Sequence, residues 1–311
     1  MATGSHDNGE KTLENVNEIL KGIDSISIKK NIHSEKKNKN KRPERALFGS
    51  IRNGIKRNDD QYDSSIPDVS FDKLNCMLTE YASFHSNISA TEFKKILSKN
   101  FSKYNDNQMR EFGENCVYWG CHGYETYSLM TDIITQLTFH SNFRMGCADE
   151  LAVLYRKYFE SQISDEEDDR NDDSETQDNS FKFFPKLVAS LLAENWPRHQ
   201  GTSDNEIIYT SMAIFKGLIS DMKKYFEPID DEDDDEIMDD RTLRFCADTL
   251  HQIISTRTKG LYRNHLYMLT DAYSVFSKAL IKNNPLDEGM RKRLLDCVIE
   301  MDKVTNGRST S

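Results

Sequence analysis

From Phe71 onward, apolar residues recur at steps of three and four, the spacing that gathers side chains on one face of an α-helix. Phe71, Leu74, Leu78 and Tyr81 form the first stripe, and Phe93, Ile96, Leu97 and Phe101 the second, behind the capping-box pair Ser89 and Glu92. Met109, Phe112 and Cys116 follow, then Tyr127, Met130, Ile134 and Leu137, then Phe143, Cys147, Leu151, Leu154 and Tyr158. A sixth stripe holds Phe184, Leu187, Leu191 and Leu192. A seventh holds Ile208, Met212, Phe215, Ile219 and Met222, with Ser203 and Glu206 as a second capping box. Leu243, Cys246, Leu250 and Ile253 come next, then Leu269, Ala272, Phe276 and Leu280. Met290, Leu294, Cys297 and Met301 complete the series, opened by Asn284 and Pro285. These ten stripes predict ten helices. No segment shows the two-residue alternation of a half-buried strand, and the prolines fall in loops, in the tail or in first turns.

The expected fold is therefore all-α. Ten helices with mostly short connections pair into five antiparallel units of roughly 45 to 48 residues, the size of HEAT-type repeats. A stack of such pairs is expected over a closed bundle, whose single core would have to serve every helix. Residues 1–70 hold few aromatics and many Lys, Asn, Ser and Asp, a composition that cannot offset chain entropy by burial. They are expected to form a mostly disordered basic tail. Two short amphipathic stripes lie within it, Leu13, Val16, Leu20 and Ile23, and Leu47, Ile51 and Ile55. The helical, HEAT-like domain is assigned to residues 71–311, with acidic loops at 162–180 and 227–240.

Charge sharpens this division. The net charge is -11, yet Lys29 to Arg57 carries +9, Asp165 to Asp178 carries -8, and Glu227 to Asp240 holds ten acids and no base. What remains is close to neutral, so the charge lies in segments outside the expected core. No apolar run is long enough to cross a bilayer, and the start, "MATGSHDNGEK", lacks the apolar segment of a signal peptide. The expectation is a soluble cytoplasmic protein, present also in the nucleus if the basic run serves as a localisation signal. The six cysteines are scattered through apolar stripes, which points to reduced thiols rather than a disulfide scaffold.

Chemistry concentrates in one stretch, "CVYWGCHGYETY" from Cys116 to Tyr127. Zinc would need a second ligand pair beside Cys116, Cys121 and His122, and none is present. Cys116 continues a helical stripe and reads as a small buried hydrophobe. Gly120 or Gly123 is placed to end the helix, so the stretch is expected to be core plus turn, with Tyr118 and Trp119 in the interior. Phosphate loops, dinucleotide fingerprints, nucleophile elbows and HExxH pairs are missing, and "DDEDDDEIMDD" has Glu236 where an EF-hand loop needs glycine. No catalytic residue, cofactor or metal is therefore assigned. Lys36, Lys37, Lys39, Lys41, Arg42 and Arg45 could contact an RNA backbone. Trp196, Arg198 and His199, at the turn after the sixth stripe, are the chosen partner anchor.

In layout the helical body resembles the middle domain of eukaryotic translation initiation factor 4G, and its small single-domain members in size. The resemblance covers roughly Phe71 to Val304 and rests on "FRMGCADELAVLYRKYFES", the charged loop after it, "FPKLVASLLAENW", and "TLRFCADTLHQIISTRTKGLYRNHLYMLTDAYSVF". The two strongly acidic loops depart from that pattern. The resemblance implies a scaffold for translation or mRNA-processing proteins, such as a DEAD-box helicase, a poly(A)- or stem-loop-binding protein, or a cap-bound complex. Two other classes stay open: a HEAT- or armadillo-like adaptor outside RNA metabolism, and an RNA-binding protein acting through its basic tail.

Overall fold

Each of the ten apolar stripes folds as a helix, because one buried face per segment is the arrangement that removes its side chains from water. The structure, a computed structural model, describes residues 66–83, 88–122, 126–163, 181–196, 205–226 and 239–306. The helices are α1 (Phe71–Ala82), α2 (Ala90–Asn100), α3 (Asp106–His122), α4 (Tyr127–Leu137), α5 (Ser141–Ile163), α6 (Phe184–Ala193), α7 (Glu206–Phe226), α8 (Asp240–Asn264), α9 (Leu266–Ile281) and α10 (Glu288–Asn306). A short 3-10 turn, Phe101–Lys103, follows α2. Among the described residues there is no strand, and no helix is long and apolar enough to cross a membrane.

The packing is regular. Each odd-numbered helix lies against the odd-numbered helix before it, from α1 through α3, α5 and α7 to α9. The even row does the same from α4 through α6 and α8 to α10. Helix α2 joins that row through the Lys94–Asp132 ion pair at 2.6 Å and a hydrogen bond from Gln136 to Ser98. The two rows share one apolar core, in which Phe93, Phe101, Phe112, Phe143, Phe184, Phe215 and Phe276 are the largest fully buried side chains.

The tightest crossing joins α3 to α5. A Cβ at Gly113 would collide with the carbonyl oxygen of Phe143, and one at Gly146 with that of Arg110. Two glycines, one from each helix, thus let the backbones meet in the middle of the odd row, the close approach that only a missing side chain permits. The even row has one such contact, where a Cβ at Gly260 of α8 would collide with Ala193 of α6, and a bend besides. Helix α8 leaves helical geometry at Arg257 (φ -145°, ψ 38°), next to Thr256 and Thr258, whose hydroxyls donate to Gln252 O and Ile254 O. Such back-bonding competes with the helical ladder and bends it. Beyond the bend, the Asn264 amide donates to Ala193 O at 3.0 Å and Glu194 O at 2.9 Å, closing the C-terminal end of α6.

Several expected boundaries move. Ser89 does cap α2, accepting from Glu92 N at 3.2 Å. Helix α7 is capped by Asn205, whose Oδ1 accepts from Ile207 N and Ile208 N; Ser203 lies outside the described residues. Helix α10 is capped by Asp287, accepting from Met290 N at 2.7 Å, so Asn284 and Pro285 precede it as a turn. The second acidic run was assigned to a loop through Asp240, yet Asp239 is the N-cap of α8 and Asp240 its first residue. A carboxylate there meets the unpaired amides of the first turn. Gly120 does not end α3, which runs on to His122; the space beside Gly120 is taken by Leu187, whose methyl would lie 3.0 Å from an added Cβ. Gly123, residues 1–65 of the basic tail and Asp165 to Asp178 lie outside the described residues, whereas residues 66–70, assigned to the tail, are ordered against α2.

Candidate interaction surface

The C-terminal half of α3 has two chemically different faces. Cys116, Val117, Gly120 and Cys121 turn inward and are buried. Tyr118 and His122, one helical turn apart, turn outward. Tyr118 was expected in the interior, but it is 41% exposed, and Trp119 is half-buried. Helical phase supplies the reason, since Tyr118 lies two residues, about 200° round the helix, from both Cys116 and Gly120, which face the core.

The outward rings form an ordered cluster. Tyr118 stacks on the His122 imidazole, with centroids 3.9 Å apart and planes at 19°. His122 Nδ1 lies 2.7 Å from Tyr118 O, and because a carbonyl only accepts, the proton belongs on Nδ1. Phe181 meets His122 edge-on at 5.0 Å, and Trp119 meets Tyr118 edge-on at 5.3 Å. The Thr126 hydroxyl donates to Trp119 O at 2.6 Å, and Phe183 N donates to Cys121 O at 3.3 Å, tying both following segments to the end of α3. Tyr127 stacks with Phe183, and the Lys186 ammonium sits 5.1 Å from the Phe183 centroid and 5.8 Å from that of Tyr127. Lys182 lies over Phe183 at 5.9 Å. Ammonium groups over ring faces are attracted by the ring quadrupole, so the cluster is at once apolar and cationic.

Phe181, Lys182, Phe183 and Lys186 were not among the candidate residues, although "FKFFPK" interleaves rings with lysines in plain view. What the sequence did not show is that this segment returns to the end of α3, some sixty residues earlier in the chain. Trp196 does not join the cluster. Its indole Nε1–H donates to Leu191 O at 2.9 Å and the ring is half-buried against the core, folded back on its own helix. Its neighbours Arg198 and His199, and the tail residues Lys36, Lys37, Lys39, Lys41, Arg42 and Arg45, lie outside the described residues.

The remaining reactive groups are buried in apolar surroundings. Burial pushes the thiols of Cys116, Cys121, Cys147 and Cys246 well above their ordinary range, and that of Cys297 up to about 12. At neutral pH they are protonated and unreactive. Among the described residues, no group of three or more His, Cys, Asp or Glu side chains is placed to hold a metal. Burial beside Tyr155 and Cys246 pushes the Asp221 carboxyl of α7 up to about 6, with the Lys224 ammonium at 3.8 Å opposing the shift. Arg144 and Glu206 pair at 2.6 Å, with Arg144 also donating to Thr138 O, and clasp α5 to the first turn of α7.

Residues 74–311 match the model of a family described as "Repeat of unknown function (DUF7627)". No curated protein and no solved structure matches the chain.

Proposed function

The chain belongs to the DUF7627 repeat family, and on that premise we propose that it is a non-catalytic scaffold, a HEAT-like stack of five antiparallel helix pairs that binds a partner protein on its outer surface. The alternation of an odd and an even helix row supports the stacking, because repeat units of this kind touch mainly their neighbours and leave long faces free for binding. The observation that carries the reading is the ring and lysine cluster of Tyr118, His122, Phe181 and Lys186. Rings held by hydrogen bonds at both flanks offer contact area with little ordering left to lose, the property of interface anchors. The half-buried Trp196, with Arg198 and His199, remains a second anchor in this proposal.

The partner class follows from the resemblance to the initiation factor middle domain: a translation or mRNA-processing protein, with a DEAD-box helicase, a poly(A)- or stem-loop-binding protein and a cap-bound complex as candidates, met in the cytoplasm or nucleus. A second reading, single-stranded RNA on the same surface, is favoured by the interleaving of rings with lysines, since bases stack on rings while phosphates take ammonium groups. The basic tail would add affinity in either case.

Affinity purification of the wild type and of a Tyr118→Ala, Lys186→Ala variant, with and without ribonuclease, tests the scheme. The expected result is translation or mRNA-processing proteins retained under ribonuclease and lost in the variant. Complete loss under ribonuclease moves the function to RNA binding. Recovery of trafficking or cytoskeletal proteins alone moves it to an adaptor outside RNA metabolism.

A further inference from the structure

The stack presents an apolar face at its α10 end. On α10, Arg293 pairs with Asp248 at 3.7 Å and Cys297 Sγ contacts His251 O at 3.9 Å, so both residues look toward α8. Leu295 lies between them in sequence, and a step of two residues turns about 200° round a helix. It therefore faces away from α8, and so does Ile299 one turn later. They are 45% and 41% exposed. On α9, Tyr267 takes the Lys216 ammonium over its ring and Asp271 pairs with Lys223, which fixes the side that looks toward α7. Tyr273, two residues beyond Asp271, points the other way and is 42% exposed. Both rows thus carry apolar side chains on the side where a following helix pair would pack.

The spacing along α10 identifies the occupant. Lys292, Leu295, Ile299 and Asp302 are exposed and follow one another at steps of three, four and three, the stripe that lines the seam of a two-helix coil. Laid against its own copy in antiparallel register about a two-fold axis, this stripe is complementary to itself. Leu295 meets Ile299 of the other copy, and Lys292 meets its Asp302, with each contact occurring twice. A parallel alignment would set Lys292 on Lys292 and Asp302 on Asp302. We infer that the α10 end of the stack is a self-association surface, on which a second copy of this chain packs its own α10 antiparallel across a two-fold axis.

Sedimentation velocity on the full chain over about a hundredfold range of concentration tests this. A reversible monomer–dimer equilibrium is expected. Leu295→Asp weakens it by about tenfold or more by burying an unpaired charge, while at concentrations where both proteins are monomeric its melting temperature stays that of the wild type. The charge pairs supply the decisive arm. Lys292→Asp places carboxylates opposite each other at both contacts and weakens the dimer, and Lys292→Asp combined with Asp302→Lys restores it. A chain that stays monomeric throughout overturns the inference, whatever covers the face, residues 1–65 included. A dimer indifferent to Leu295→Asp overturns it as well, and a charge-swapped double variant no better than the single one overturns the antiparallel register.

Discussion

The two ends of the stack bury their helices by different means. At the α1 end the chain covers itself. Residues 66–70 run across α2, where Asn100, fully buried, accepts from Val69 N at 3.2 Å and donates to Pro67 O at 3.1 Å. Lys99 donates to Ile66 O, the Tyr104 hydroxyl donates to Val69 O, and Asp68 pairs with Lys103 at 2.7 Å, a contact that holds its carboxyl below the usual range. Apart from Cys76, the exposed side chains of α1 and α2 are polar or charged: Asp72, Lys73, Thr79, Thr91, Glu92, Lys95 and Ser98. At the α10 end the exposed side chains include the apolar Leu266, Tyr273, Leu295 and Ile299 among polar neighbours. A repeat array needs a polar outer face on its last unit to stay dispersed, so the α1 end is finished as a terminus and the α10 end as a joint.

The sharpest way to break this contrast is to cut the α10 end on its inner side. Leu294 is fully buried, and Leu294→Ala should cost about 3 kcal/mol through lost burial and the cavity left behind, read as a shift of the urea midpoint. Polar substitution of Leu295, the next residue, should cost less than about 0.5 kcal/mol. Equal effects would mean that α10 has no outward face.

Between the ends, Asp221 gives a charge-based comparison. Its folded pKa of about 6 lies above the unfolded value of 3.8, so the folded state binds the proton more tightly. The stabilisation is complete below about pH 4 and is lost as pH rises toward and through about 6. At pH 7, Asp221→Asn should raise stability by up to about 3 kcal/mol, two pKa units being worth roughly that much. The gain should shrink to nothing near pH 4, as measured by the difference between the two unfolding curves. A gain independent of pH would remove the buried charge as its cause.

At the α1 end the expected effect is smaller. Asn100→Ala should cost about 2 kcal/mol, because it strands Val69 N and Pro67 O under the covering segment. Hydrogen exchange at Val69 should quicken while amides of α8 keep their protection. A uniform loss of protection would show that the covering segment is part of the core.

Much of this architecture was legible in the chain. Every helix rests on a stripe that period alone reveals, since the buried face of a stacked helix is wide enough to dominate its pattern. Helix ends were less so, because several side chains compete for one cap: Asn205 and Asp287 took positions that Ser203 and Asn284 could have filled. The candidate surface was half visible. The rings of α3 drew notice at once, and Tyr118, two residues from Cys116 in its stripe, is about 200° out of phase with the buried face, a signal the sequence already carried. The α10 face could have been found from sequence alone, for Leu295 and Ile299 run out of phase with Met290, Leu294, Cys297 and Met301.

The cysteines bear on how any association of this chain is handled at the bench. Of the six, Cys76 on α1 is exposed and the other five are buried. Air oxidation of the folded protein can therefore join copies only through Cys76, at the end whose surface is polar. A band at twice the mass on a non-reducing gel would report that covalent accident at the finished terminus, and preparations kept fully reduced are the ones in which the joint at α10 can be seen.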